Sequence, residues 1–80
     1  MNLERINRVY FIGVGGIGMS ALARYFNELG KDVAGYDRVS KPLTQQLEKE
    51  GVIIHYDDEP GLIPSAFTQN KKRTLIVYTP

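Results

Sequence analysis

Four short apolar runs divide the chain: Val9-Tyr10-Phe11-Ile12, Val33-Ala34-Gly35-Tyr36, Val52-Ile53-Ile54 and Leu75-Ile76-Val77-Tyr78. Each is nearly continuous rather than alternating, the pattern of strands covered on both faces in a parallel sheet. The first strand reads over residues 8–12 and runs into a turn at Gly13; the second reads over residues 33–37. Between them Met19, Leu22, Phe26 and Leu29 recur at steps of three, four and three. That spacing predicts a helix over residues 16–29 with this stripe in the core, capped by Gly30. A second helix starts at Ser40-Lys41-Pro42, where Ser40 offers a capping hydroxyl and the proline sits in the first turn. Leu43 and Leu47 share its buried face, and Gly51 ends it. Pro60, Gly61 and Pro64 keep any further helix short, and residues 65–73 read as a polar surface connection. Strands alternating with helices predict an α/β fold. It is a small Rossmann-like three-layer sandwich with a mostly parallel sheet of about four strands and right-handed crossovers.

The chemistry is concentrated at Gly13-Val14-Gly15-Gly16-Ile17-Gly18. A G-x-G-x-x-G string is weak alone; a strand before it and a helix after it point to a phosphate site. The plainer alternative is a glycine-rich turn used only for packing, which four glycines in six residues make costly. The first glycine allows the tight turn, the second a close approach of backbone to diphosphate, and the third close packing of helix on strand. The N–H groups of the helix start, with the positive end of its dipole, then face the anion. In the first turn, the Ser20 hydroxyl can reach a phosphate or bond the backbone. Asp37 lies 19 residues beyond Gly18, where dinucleotide folds place an acid for a ribose hydroxyl; strand-ending turn aspartates are common, but the glycine loop upstream favours the ligand role. Arg38 could touch a phosphate or base. Thr79 stands at the end of the last strand, on the edge where parallel sheets place ligands. His55 reads as a bystander. Asp57-Asp58-Glu59 reads as a solvated turn and helix cap, because adjacent side chains diverge and make no cage.

Composition narrows the function. Eighty residues make one domain that buries about 60–65% of its unfolded surface. A net charge of +1 gives no electrostatic case for nucleic acid. With no cysteine and one histidine, neither a disulfide framework nor a structural zinc site is expected. The lack of an 18-residue apolar run or a signal-peptide layout leaves no membrane partner and a cytoplasmic location as the expectation.

The string Phe11-Ile12-Gly13-Val14-Gly15-Gly16-Ile17-Gly18-Met19-Ser20 resembles the N-terminal domain of the Mur ligases. The match is closest to the branch that joins L-alanine to UDP-N-acetylmuramate. Ala21-Leu22-Ala23, Gly35-Tyr36-Asp37 and the Val77-Tyr78-Thr79-Pro80 ending fit the same branch, so the resemblance covers nearly the whole chain. A sister branch attaches a whole peptide to the same sugar nucleotide; the loop string favours the alanine branch. The resemblance implies that residues 1–80 are a single substrate-binding domain, a fragment of a larger ligase. Gly13, Gly15, Gly16, Ile17, Gly18, Met19 and Ser20 would line the diphosphate of UDP-N-acetylmuramate. Asp37, with Arg38 beside it, would hold the uridine, and Thr79 would lie near phosphate or sugar. Many relatives carry an Asn-His or Gly-His pair after the third strand; here Asp57 and Asp58 stand there. The resemblance also implies that the parent enzyme uses ATP and Mg2+ to form an acyl phosphate that an amine attacks. This chain lacks the G-x-x-x-x-G-K-[ST] loop for ATP, so those cofactors and the central and C-terminal domains belong to the rest of such a parent, and the chain alone should be inactive. Two other readings stand beside it: an NAD-binding Rossmann domain of a dehydrogenase or a ligand-gated regulator, and an isolated fold fragment that binds nothing measurably because its ligand closes between domains.

Overall fold

The computed structural model describes residues 3–69 and 71–79; Met1, Asn2, Asn70 and Pro80 lie outside them. The regular elements follow one another as β1 (Arg8–Ile12), α1 (Ile17–Glu28), β2 (Asp32–Tyr36), α2 (Pro42–Lys49), β3 (Ile53–His55), α3 (Ser65–Gln69) and β4 (Thr74–Val77). The sheet order is β3-β2-β1-β4, and every pairing is parallel. The chain moves outward from β1 to β3, then returns to the other side of β1. The crevice between the ends of β1 and β4 is therefore the switch point at which open α/β sheets bind ligands.

Side chains alternate across the strands. Val9, Phe11 and Val33 point to one face and form a cluster with Met19, Ala23 and Phe26 of α1 and Leu47 of α2. Tyr10 and Ala34 point to the other face and pack with Phe67 of α3. Helices thus cover both faces of the sheet, and the fold is the three-layer sandwich expected, with an entirely parallel sheet.

The stripe expected on α1 is only half right. Met19 and Phe26 are buried, but Leu22 and Leu29 are 44% and 52% exposed, and the buried face is completed by Ser20 and Ala23. Ala23 has no exposed surface and lets the helix lie close to the sheet. With about 3.6 residues per turn, the sheet-facing line passes between Met19, Ala23 and Phe26, and Leu22 and Leu29 fall on one flank.

Two further expectations change. Ser40 does not cap α2: Lys41 is the N-cap, and the Thr44 hydroxyl accepts its N–H at 3.0 Å while donating to its carbonyl at 2.9 Å. Residues 65–73 are not only a surface connection. They include α3, whose Phe67 is buried and meets the Tyr10 ring edge-on at 6.4 Å. A five-residue helix is too short to show periodicity, so one buried phenylalanine in a polar stretch gives no pattern.

Candidate functional site

The loop between β1 and α1 is held from below by β2. Gly13 has φ +85°, a conformation that side chains rarely adopt. Its N–H and that of Val14 both donate to the Tyr36 carbonyl, at 2.8 and 3.0 Å. Val14 then turns inward and is fully buried. At Gly15 the N–H donates to Asp37 Oδ2 at 2.7 Å. A Cβ on Gly15 would meet Asp37 Oδ2 at 2.7 Å, Thr44 Cγ2 at 2.8 Å and Lys41 Cε at 2.9 Å. This is the close approach that requires glycine, here made by the protein itself.

Beyond Gly15 the loop opens. Gly16 is the N-cap of α1 and offers no capping side chain. The first bond into the helix runs from Ser20 N–H to Gly16 O at 2.7 Å. The N–H groups of Ile17, Gly18 and Met19 therefore have no acceptor within the helix. Gly16, Ile17 and Gly18 are exposed, and the first turn carries no acidic residue. The result is an open shelf of backbone donors at the positive end of α1. Gly18 does not serve helix–sheet packing: nothing lies within 4 Å of where its Cβ would stand. Close packing falls instead to Ala23 and to Gly35 beneath Val14.

The structure gathers the expected residues unevenly. Gly13, Gly15, Gly16, Ile17 and Gly18 form the loop, and Asp37 stands against its centre. Met19 and Ser20 are buried, and the Ser20 hydroxyl donates to the Ile17 carbonyl at 2.9 Å; Met19 offers the shelf its N–H, whereas that of Ser20 is already bonded to Gly16 O. Arg38 and Thr79 are exposed beyond the ends of β2 and β4. The residues that sequence reasoning missed are Lys41 and Thr44, which wall Gly15, and Gly35. Gly35 was legible in principle, because an isolated glycine in a strand signals a close backbone approach.

On the other face, His55 is held within the fold by hydrogen bonds at both ring nitrogens. Its Nδ1 lies 3.0 Å from the Asp57 carbonyl, and its Nε2 lies 2.6 Å from the Tyr10 hydroxyl. A carbonyl only accepts, so Nδ1 carries the proton and Nε2 accepts from Tyr10. Burial, with the charges of Asp58 and Tyr36 adding to it, raises the Tyr10 pKa above its ordinary value and keeps the phenol a donor. A cavity of about 240 Å³ opens beside this pair, walled by Ile12, Tyr36 and Ile63, with Asp58 and Glu59 among its lining residues. Asp57, Asp58 and Glu59 are exposed, as a solvated turn requires. Among the described residues no group of three or more acidic, histidine or cysteine side chains is placed to hold a metal ion, and no helix is long and apolar enough to cross a membrane.

A family model described as "Mur ligase family, catalytic domain" matches residues 8–79. The chain belongs to the Mur ligase family. It is 56% identical over 79 residues to the UDP-N-acetylmuramate--L-alanine ligase of Christiangramia forsetii, covering 99% of this chain and 18% of that protein. It is 52% identical over 80 residues to the enzymes of the same name from Flavobacterium johnsoniae and Parabacteroides distasonis, covering all of this chain and 17% of each. This Mur ligase chain thus spans less than a fifth of the length of the curated relatives it matches. These relatives are ligases, and none of them favours the nicotinamide reading.

Proposed function

We propose that this Mur ligase domain holds the uridine diphosphate part of UDP-N-acetylmuramate, as the substrate-binding part of an ATP-dependent ligase that joins L-alanine to that sugar nucleotide in peptidoglycan precursor synthesis. The observation that carries the reading is the shelf itself: three first-turn N–H groups without helical acceptors, at a helix start with no side-chain cap, on the ligand-binding edge of a parallel sheet. Diphosphate oxygens accept from such donors, and the helix dipole favours their charge. Asp37, as an acceptor next to the shelf, suits a hydroxyl or N–H of the uridine. Arg38 and Thr79 lie on the same edge of the sheet, where a cation and a hydroxyl suit phosphate or sugar.

ATP and Mg2+ supply carboxylate activation in such a ligase. The described residues here include neither an ATP-type phosphate loop nor a cluster of metal ligands, so on this reading that chemistry belongs to parts of a longer cytoplasmic protein beyond this chain. What this chain contributes is binding and orientation: it fixes the nucleotide end of the substrate, leaving the muramyl carboxylate to reach the catalytic parts.

Calorimetric titration with UDP-N-acetylmuramate, with NAD in parallel, tests the proposal. Saturable binding of the sugar nucleotide and none of NAD is expected. Preference for NAD would overturn the reading.

A further inference from the structure

Asp37 stands in an unexpected place for a residue that only contacts a nucleoside. Both of its carboxylate oxygens are engaged by backbone: Oδ2 accepts the Gly15 N–H at 2.7 Å and Oδ1 accepts the Val39 N–H at 3.0 Å. Its own N–H donates to the His55 carbonyl at 3.2 Å. One residue therefore ties together the glycine loop, the β2–α2 connection and the end of β3. The bond to Gly15 is short and charge-assisted, the stronger kind of hydrogen bond. It also has a directional consequence. The Gly15 N–H is turned toward Asp37 and withdrawn from the shelf, so the donors left for an anion are those of Ile17, Gly18 and Met19. The missing side chain at Gly15 is what lets the carboxylate come this close, since a Cβ there would stand 2.7 Å from Oδ2.

We propose that Asp37 is a positioning residue for the anion shelf, acting on the diphosphate through the Gly15 peptide. The proposal deepens the reading of the loop as a diphosphate site and rests on it. The carboxylate locks the loop in the arrangement that aims the first-turn N–H groups outward. Its negative charge seats the ligand's phosphates over the helix start, away from Gly15. An aspartate that served the nucleoside alone would leave the loop indifferent to its removal.

The test compares the wild-type chain with Asp37→Asn and Asp37→Ala. The first readout is hydrogen exchange of the Gly15 amide without ligand. Exchange should speed up at least tenfold in Asp37→Ala, and Asp37→Asn, which keeps an acceptor oxygen, should recover part of the protection. Retained amide shifts across β1 and α1 report that both variants fold. The second readout is titration with inorganic pyrophosphate, which has no nucleoside. Its affinity should fall severalfold in Asp37→Ala and less in Asp37→Asn. Unchanged Gly15 exchange in Asp37→Ala would overturn the brace whatever the ligand does. Unchanged or tighter pyrophosphate binding would overturn its action on the anion. Failure of the wild type to bind pyrophosphate or UDP would instead overturn the diphosphate reading of the loop.

Discussion

Val14 lies directly over Gly35. A Cβ on Gly35 would stand 2.9 Å from the Val14 Cβ and 2.9 Å from the Phe11 carbonyl oxygen. The strand therefore leaves out a side chain where the loop descends on it, and one of the two obstacles is backbone that has nowhere to move. Gly35→Ala should destabilise the fold by about 1–3 kcal/mol, the usual cost of overpacking. Urea denaturation measures the loss, and amide shifts should move at Gly13–Gly18 although the substitution is on β2. A stable variant with an undisturbed loop would contradict this packing.

Gly15 is enclosed on three sides by Asp37, Lys41 and Thr44. Two of these contacts are side-chain ends that can shift, but Thr44 is fully buried. Gly15→Val should displace the loop, cost about 1–3 kcal/mol and abolish binding of UDP-N-acetylmuramate in calorimetry. Wild-type affinity in this variant would refute the loop assignment.

The contrast between these two glycines shows what the sequence makes legible. The G-x-G-x-x-G string places the turn at Gly13 correctly, because turn conformation is a local demand; it marks Gly15 as a close approach but not the protein groups that make it, which come from Asp37, Lys41 and Thr44. It misplaces the role of Gly18, because whether a glycine faces a sheet or open space depends on how the helix is rotated. The same rotation misassigns Leu22 and Leu29: a three-four-three spacing marks an apolar flank but not which line of it meets the strands. Asp37 is found by its distance from the loop, whereas its bond to Gly15 is not, because that bond depends on the register of β2 against β1. Phe67 stays invisible because a single aromatic residue in a five-residue helix has no repeat.

Phe67 is the main link between α3 and the sheet. It packs on Tyr10 and Ala34, with Ile63 and Ala66 beside them. Phe67→Ala should cost about 3–5 kcal/mol, a large share of the roughly 5–15 kcal/mol that holds a domain together. A urea midpoint close to that of the wild type would show that α3 contributes little to the core.

Arg24 and Glu50 clamp α1 to the end of α2 through two parallel bonds of 2.9 and 3.1 Å. Glu50 also accepts from Gln46 Nε2 at 3.1 Å. These bonds, Arg24 first and Gln46 second, hold the Glu50 carboxyl below its ordinary pKa. A group whose pKa is lower in the folded state stabilises the fold above its unfolded pKa, and the contribution is lost as pH falls through the folded value. Stability should therefore drop below about pH 4, and Arg24→Ala should flatten that part of the acid limb. The pair is exposed, so the effect is small and should weaken further in high salt. An acid limb identical in both proteins would show that the clamp contributes nothing.

The central claim is that the shelf above α1 receives the diphosphate of a uridine sugar nucleotide. The most direct measurement is an amide chemical-shift titration of this chain with UDP-N-acetylmuramate. The expected result is a saturable response centred on Gly13–Ser20 and Asp37, with the largest changes at the Ile17, Gly18 and Met19 amides. A response centred elsewhere, or none at these amides, would contradict it.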